Sequence, residues 1–275
     1  MDILLKFLQI AVLAGVFIPP SACKKDSNET NMIVGGFKVN IEDVPYQVGL
    51  FDGKDLICGG TIIGPQWILT SHHCVDKLDP AQYSVVVGTE EPYNGTKLKA
   101  KNVIVPNVPF YDIALVLLEQ PLTFSTNVQC LKLLPSADLL VPGKPAYVSG
   151  YGASKEGGFS NPLKAATINL LPASSCLDAY KNIMKEYTIC AGFEQGMVDS
   201  CQGDSGGPLV VDGELAGVVY YGKGCARPKT PGLYMSVPFF RSWIVTVVHE
   251  QPIPAERTLC GEKQDDVCVC RININ

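Results

Sequence analysis

From residue 33 onward, the sequence is a succession of short apolar runs separated by glycine, proline, asparagine and aspartate. This pattern limits the fold more than any other feature, because closely spaced strands are joined by turns in antiparallel sheets, whereas parallel strands need long helical connections. The predicted strands are 46–50, 67–70, 83–87, 113–118, 146–149, 209–211 and 215–221. The sequence therefore predicts an all-β chain built as antiparallel barrels or sandwiches.

Two segments have a helical pattern. A short helix is predicted over 173–182, and a terminal helix over 238–250. In the second segment, the side chains of Phe239, Trp243, Ile244 and residues 247–248 are expected on one face, as in a helix that packs on the body of a domain.

Composition and charge exclude several classes of protein. Of the 275 residues, 47% are hydrophobic and 18% are charged, so the chain can bury a large core and is not disordered. The net charge is −5, and the longest basic run is Lys24-Lys25. We therefore expect neither a nucleic-acid partner nor attachment to a membrane.

The chain contains 11 cysteines, a number that favours an oxidising compartment. An apolar run at 7–18 is too short to span a bilayer and predicts a secretory signal peptide over 1–22. The segment 251–275 turns polar and forms a cysteine-containing tail. Asn28 and Asn94 stand in glycosylation triplets, which agrees with a secreted, extracellular protein.

Three residues in separate segments suggest nucleophilic chemistry. The chain has only 3 histidines, and His73 follows a predicted strand directly. Ser205 is flanked by glycines whose backbone can approach a bound carbonyl closely, and Asp112 opens an apolar strand. Each residue has an ordinary structural interpretation alone, as a loop histidine, a turn serine and a strand cap. Together they match a Ser-His-Asp relay.

A second interpretation of the serine motif can be weighed from the sequence. Residues 203–207 also match the G-x-S-x-G turn of α/β-hydrolases. That fold requires a helix after the serine, and an aspartate and a histidine later in the chain. Only His249 follows Ser205, and the hairpin predicted over 209–221 leaves no room for the helix.

Motifs in a fixed order resemble those of the trypsin/chymotrypsin family of serine proteases. They cover residues 33 to about 250 and read I-V-G-G at 33–36, C-G-G-T at 58–61, W-I-L-T at 67–70, T-S-H-H-C at 70–74, D-I-A-L at 112–115 and D-S-C-Q-G-D-S-G-G-P at 199–208. The resemblance implies a protease domain over 33–250, with two packed six-stranded antiparallel β-barrels, an active site in the cleft between them and a short C-terminal helix.

The resemblance also implies residue roles. Ser205 would be the nucleophile, His73 the general base and Asp112 the residue that orients the imidazole. The amides of Gly203 and Ser205 would form the oxyanion hole. Asp199 would lie at the floor of the specificity pocket, kept open by Gly222 and Gly232, and would favour cleavage after arginine or lysine.

Activation is implied to follow the family pattern, with one departure. Cleavage before Ile33 would release a propeptide, 23–32, and create an ammonium group that pairs with Asp204. The preceding residue is Met32, not arginine or lysine, so the activator is expected to be a protease that is not of the trypsin type.

The family's disulfides imply three pairs, and a fourth is suggested by members that keep their propeptide attached. The three pairs are Cys58–Cys74, Cys176–Cys190 and Cys201–Cys225, and the fourth is Cys23–Cys130.

Substitutions at the cleft leave a second function open. Tyr220 and Tyr221 replace the family's usual serine and tryptophan, and His72 replaces a small residue. A weakly active or inactive homologue that acts as a binding or regulatory protein is therefore the alternative. For a protease, the expected partners are protein or peptide substrates and protein protease inhibitors. We expect a monomer, with no cofactor and no bound metal, since the acidic loop that holds calcium in some members is short here.

Overall fold

The computed structural model describes residues 33–77, 79–158 and 162–250. The strands are β1 (Phe37–Lys38), β2 (Gln47–Asp52), β3 (Asp55–Gly64), β4 (Trp67–Thr70), β5 (Tyr83–Val87), β6 (Leu98–Ile104), β7 (Ala114–Leu118), β8 (Pro145–Gly150), β9 (Lys164–Leu171), β10 (Thr188–Gly192), β11 (Pro208–Val211), β12 (Glu214–Tyr221) and β13 (Gly232–Ser236). The α-helices are α1 (Ala173–Tyr180) and α2 (Val237–Glu250), and short 3-10 helices span Ile41–Asp43, His72–Cys74, Pro80–Gln82, Pro92–Asn94 and Ala137–Leu139. The expected signal peptide, propeptide and tail lie outside the described residues.

The strands form two closed barrels. In the first barrel the order is β2–β3–β4–β7–β6–β5, with every pair antiparallel. In the second, β9–β10–β13–β12–β11–β8 closes through the pairing of β8 with β9, and β1 pairs with the first two residues of β9. The prediction of two six-stranded antiparallel barrels is confirmed.

The C-terminal helix packs on this body with a face slightly different from the predicted one. Its buried residues are Val237, Phe240, Ile244 and Val248, at spacings of three and four along α2. Phe239, which was predicted on the buried face, is 41% exposed. The helix is therefore rotated so that Phe240, not Phe239, enters the core.

A continuous core joins the two barrels. The largest cluster of buried apolar residues contains Trp67 and Leu115 of the first barrel together with Val218 and Met235 of the second, and Phe240 of α2. Because interiors pack to near-crystalline density, such a shared core fixes the orientation of one barrel against the other.

Buried polar contacts cross the same boundary. Ser149 Oγ donates to Gln47 Oε1 at 2.6 Å, and Ser71 Oγ donates to the Val219 carbonyl at 2.8 Å. These groups are buried, so each bond also avoids the cost of an unsatisfied polar atom.

Three disulfides stabilise loops around the barrels. They join Cys58 to Cys74, Cys176 to Cys190 and Cys201 to Cys225, which are the three pairs that the resemblance implies. The first closes a loop with a sequence separation of 16 residues, a length that corresponds to about 3 kcal/mol on the chain-entropy model. Cys130 is also disulfide-bonded. Its expected partner, Cys23, lies outside the described residues.

Candidate active site

Strand pairing brings His73 and Asp112 to the same end of the first barrel. In the ladder between β4 and β7, Thr70 pairs with Ala114. The chain leaves β4 into the short helix His72–Cys74, and Asp112 lies two residues before β7 begins. The antiparallel register therefore places the histidine beside the carboxylate.

Two hydrogen bonds fix the orientation of this pair. The His73 amide donates to Asp112 Oδ1 at 2.7 Å, and His73 Nδ1 lies 2.6 Å from Asp112 Oδ2. An ionised carboxylate only accepts, so Nδ1 carries the proton. The Asp112 side chain is 12% exposed and that of His73 is 44% exposed. The imidazole is therefore fixed through Nδ1, and Nε2 remains available to accept a proton.

Ser205 lies across the boundary between the barrels from this pair. It lies in the turn before β11, and its carbonyl accepts a hydrogen bond from the Gly59 amide of β3 at 2.8 Å. Ser205, His73 and Asp112 line one cleft of about 930 Å³. Among the described contacts, no hydrogen bond joins the side chains of Ser205 and His73, an arrangement that is common in serine enzymes without substrate.

The backbone around Ser205 offers two free donors. Within the described residues, neither the Gly203 amide nor the Ser205 amide donates a hydrogen bond. Gly203 has φ +92°, a conformation that a residue with a side chain rarely adopts. The glycine at this position thus permits the turn that leaves both amides available to an anionic oxygen.

Asp204 is fully enclosed beneath this turn. Its Oδ1 accepts from the Gly152 amide at 2.8 Å, and its Oδ2 accepts from the Cys201 amide at 2.9 Å. No cation of the described chain pairs with it, and burial raises its pKa to about 6. Ile33 is also buried, with 1% exposure. A buried carboxylate without a cation is a site that a new ammonium group would stabilise.

Asp199 has one oxygen satisfied and one without a partner. Oδ2 accepts from the Ala226 amide at 3.1 Å, whereas Oδ1 is buried and has no hydrogen bond within the described residues. A Cβ placed on Gly232 would lie 3.2 Å from that oxygen, so the glycine leaves space beside it. Burial raises the pKa of Asp199 to about 7. Asp199 does not itself line the 930 Å³ cleft, although Gly222 and the adjacent Ser200 do.

The raised pKa values predict how the stability of the uncleaved chain changes with pH. Asp199 and Asp204 bind protons in the folded chain at pH values where an unfolded carboxyl is already ionised, so folding is favoured as the pH falls from 8 toward 5.5. We expect the free energy of unfolding, measured with urea, to rise by about 1–3 kcal/mol over this range. Asp199→Asn should lose part of this dependence. A profile that is flat, or that falls toward acid pH, would contradict the assignment of these two groups.

An aromatic wall lines the cleft, and of its rings only Tyr220 and Tyr221 were predicted there from the sequence. Phe110, Tyr111, Tyr187, Tyr220 and Tyr221 all line it. Neighbouring rings meet edge to face, for example Tyr111 with Tyr187 at a centroid distance of 5.0 Å. These residues come from three separate segments, so no sequence window contained the pattern. Burial and the neighbouring Asp112 raise the pKa of the Tyr220 phenol.

Of the two predicted glycosylation sites, Asn94 is exposed on the short helix Pro92–Asn94, whereas Asn28 lies outside the described residues, as does Met32 of the predicted activation site. His73 lies near the sulfurs of Cys58 and Cys74, but these form a disulfide and offer no thiolate to a metal. No helix in the described part of the chain is long and apolar enough to cross a membrane.

Two six-stranded antiparallel barrels, with histidine, aspartate and serine gathered where they meet, are the architecture of a chymotrypsin-type serine protease. The chain belongs to the trypsin family, because the family model described as Trypsin matches residues 33–244. It is 35% identical over 225 residues to "Trypsin" of Sus scrofa, a match that covers 79% of this chain and 96% of the relative.

A second relative is much longer than this chain. "Transmembrane protease serine 9" of Rattus norvegicus is 33% identical over 236 residues, which is 80% of this chain but 22% of the relative. The chain thus spans about a fifth of the length of that protein. Membership of the trypsin family identifies the chain as a trypsin-like serine protease by kind, a class whose members act on protein substrates.

Proposed function

We propose that the protein is a secreted serine endopeptidase, activated by cleavage before Ile33, that hydrolyses peptide bonds after arginine or lysine. The observation that carries this proposal is the His73–Asp112 pair, which shares a cleft with Ser205. Beside it, the Gly203 and Ser205 amides donate to no other group of the described chain, and Gly203 lines the adjoining cavity together with His73 and Ser205. Each element required for acyl transfer to a serine is present in one place.

The proposed chemistry proceeds through an acyl-enzyme. Ser205 Oγ attacks the scissile carbonyl carbon while His73 Nε2 takes its proton, and Asp112 stabilises the imidazolium through Nδ1. The amides of Gly203 and Ser205 stabilise the oxyanion. His73 then gives its proton to the leaving amine, the C–N bond breaks, and water, deprotonated by His73, hydrolyses the ester.

Selectivity for arginine and lysine is supported by the unpaired oxygen of Asp199. A buried acceptor without a donor is costly, and a guanidinium or ammonium group from the substrate would remove that cost. Gly232 leaves the necessary space beside the carboxylate. Apolar side chains would leave Oδ1 unsatisfied, and therefore bind less well.

Activation is supported by the surroundings of Asp204. Both of its oxygens accept amide hydrogens, but the described chain supplies no cation to this fully buried group. Cleavage between Met32 and Ile33 would create an ammonium group at a residue that is already buried. The activator must accept methionine, so it is not of the trypsin type.

Further parts of the proposal rest on the sequence. We assign 1–22 to a signal peptide, 23–32 to a propeptide, 33–250 to the protease domain and 251–275 to a tail. Three disulfides and the exposed Asn94 support an extracellular, glycosylated protein. We further propose a monomer without a cofactor, to which protein protease inhibitors bind at the cleft.

The proposal is tested on protein cleaved so that Ile33 is its N-terminus. Labelling by a fluorophosphonate reagent reports whether Ser205 is nucleophilic. The ratio kcat/KM is then compared on matched arginyl, lysyl, phenylalanyl and alanyl peptides. Labelling with a preference for arginine or lysine supports the proposal. Neither labelling nor turnover, with Ile33 verified as the terminus, would overturn it in favour of a binding protein.

The position of Tyr220 favours the second candidate function, that of a weakly active or inactive homologue that binds protein partners. Its ring takes the place of the family's usual serine, lines the cleft and is close enough to Asp112 for that carboxylate to raise its pKa. A bulky ring here could hinder productive substrate binding. A weakly active homologue would then act by binding protein partners at the same cleft.

The Tyr220→Phe variant separates crowding by the ring from chemistry of its hydroxyl. Tyr220 Oη makes no hydrogen bond to any described residue, so removal of the hydroxyl is expected to change kcat/KM by less than about twofold. The measurement is steady-state hydrolysis of an arginyl peptide. A loss of tenfold or more would show that the phenol supports Asp112 directly.

A further inference from the structure

The outer surface of the first barrel carries an unbalanced group of lysines. Lys97, Lys99 and Lys101 alternate with Leu98 and Ala100 at the start of β6. Ala100 is buried, Leu98 is half-buried and all three lysines are exposed. Alternation along the strand exposes Lys97 and Lys99, and a register shift between Ala100 and Asn102 leaves Lys101 exposed as well. Positive charge thus collects on the solvent side, although no two of these lysines are adjacent in sequence.

A fourth lysine joins this group at the turn between β2 and β3. Lys97 Nζ donates to the Gly53 carbonyl at 2.8 Å and lies 3.9 Å from the centroid of the Phe51 ring. This contact brings the tip of Lys97 to the residue that precedes Lys54, which is itself exposed. We call Lys54, Lys97, Lys99 and Lys101 the basic surface.

Carboxylates of the described chain do not neutralise the basic surface. None of its four lysines forms an ion pair with a described residue. Two exposed carboxylates lie near it: Glu119, whose amide donates to the Lys99 carbonyl, and Asp55 at the turn. Four positive charges against two negative ones leave an excess of positive charge on a chain whose net charge is −5.

One end of the active site lies next to the turn that carries Lys54. A second cavity, of about 420 Å³, is lined by Ser205, His73 and Gly203 and also by Asp52 and Lys77. Asp52 forms an ion pair with Lys77 and immediately precedes Gly53, on which Lys97 rests. This cavity therefore lies between Ser205 and the turn that carries Lys54, and none of the four lysines is among its lining residues.

The direction of a bound substrate follows from the two cavities. The loops next to Asp199 line the larger cleft through Ser200, Gly222 and Cys225. The side chain before the scissile bond would enter there, so the residues after the bond must leave on the other side of Ser205, through the smaller cavity. That segment continues toward Lys54 and Lys97.

We propose that the basic surface binds an acidic segment of the substrate protein, located a few residues after the scissile bond. This inference rests on the proposed function for the direction of the substrate. The occupant is an acidic peptide segment because exposed lysines attract carboxylates over a distance and the path from Ser205 is that of a peptide chain. The lysines span about 13 Å from Lys97 to Lys101, at about 3.3 Å per residue of strand, which fits a tract of about four extended residues.

A binding experiment tests the proposal without requiring turnover. The full chain carrying Ser205→Ala, cleaved before Ile33, is titrated into a labelled peptide in which arginine is followed by about three neutral residues and then by four glutamates. A matched peptide has glutamines in place of the glutamates. We expect the acidic peptide to bind about tenfold more tightly at low salt and to lose this advantage in 0.5 M salt.

Charge-removing variants locate the contact. In the Ser205→Ala background, Lys99→Gln with Lys101→Gln is expected to abolish most of the tenfold preference. Lys38→Gln is the matched control, since Lys38 is exposed on β1 of the second barrel, and it should change binding by less than twofold. Thermal unfolding of each variant checks that the surface changes leave the fold intact.

Each other outcome overturns the proposal. Equal affinity for the acidic and neutral peptides would show that the four lysines are only exposed to solvent and do not bind the substrate. An equal loss in Lys38→Gln would show a general charge effect, and binding of a heparin oligosaccharide but not of the peptide would assign the surface to a glycan. If the active protein hydrolyses no peptide, the proposed function fails, whereas the binding result still decides this inference.

Discussion

Replacing Ser205 with alanine is expected to lower kcat/KM on an arginyl peptide by about five orders of magnitude. In the proposed mechanism the Ser205 oxygen forms the acyl-enzyme, and without it His73 and Asp112 have no nucleophile to activate. The residual rate would come from the free amides and from substrate binding. The measurement is hydrolysis of a chromogenic arginyl peptide by protein cleaved before Ile33.

Ser200→Ala is the matched control for this loss. Ser200 is half-buried and lines the same cleft as Ser205, five residues earlier in the chain. Its replacement should keep kcat/KM within about tenfold of the unchanged protein, an allowance for one lost hydrogen-bonding group. Retention of more than a hundredth of the activity by Ser205→Ala would exclude this serine as the nucleophile and, with it, the proposed mechanism.

Asp199→Ser is expected to abolish the preference for arginine and lysine. The kcat/KM on an arginyl peptide should fall by about a thousandfold, since a desolvated cation without its partner costs about 3–5 kcal/mol. The rate on a phenylalanyl peptide should hold or rise, because the variant no longer carries a buried carboxylate with an unpaired oxygen. The ratio of the two kcat/KM values is the quantity to follow.

Asp178→Ser removes an equal charge from an exposed position on α1 and should leave that ratio unchanged. If the arginyl preference persists in Asp199→Ser, another group recognises the cation and Asp199 is a structural carboxylate. If both variants reduce turnover on every peptide alike, the loss reflects folding, and a denaturation profile of each protein will show it.

The strands that the sequence predicted are those whose short runs are mainly apolar. The runs at 67–70 and 83–87 correspond to β4 and β5 without adjustment. By contrast, the apolar pattern did not predict β3, where Gly59 and Gly60 interrupt it, and only the C-G-G-T motif at 58–61 marked an early strand there, through the family resemblance. A Cβ on Gly60 would lie 2.9 Å from Ile68, and one on Gly59 would lie 3.1 Å from the Cα of Gly207. These glycines reflect close packing between strands, which is a tertiary property that local patterns do not contain.

The same limit applies to the site. The motifs predicted which side chains would gather, and the structure places His73, Asp112 and Ser205 on one cleft. Two features of the site could not be predicted from the sequence: the hydrogen bond from the Gly59 amide to the Ser205 carbonyl, and the unpaired Oδ1 of Asp199. Both depend on how distant segments of the chain pack together. The basic surface was missed for a simpler reason. A run of consecutive basic residues is the usual signal of a charged surface in a sequence, whereas a strand exposes alternate residues on one face.

The bond between Gly59 and Ser205 has a consequence for how the proposed activity would be lost. His73 and Asp112 belong to one barrel and Ser205 to the other, and their alignment depends on the contacts that cross between them. A small displacement of one barrel relative to the other would misalign the reacting atoms, while each barrel kept its strands and its own core. The rate of catalysis is thus more sensitive to the packing between the barrels than circular dichroism is. In a denaturant titration, activity should be lost at a lower denaturant concentration than the circular dichroism signal.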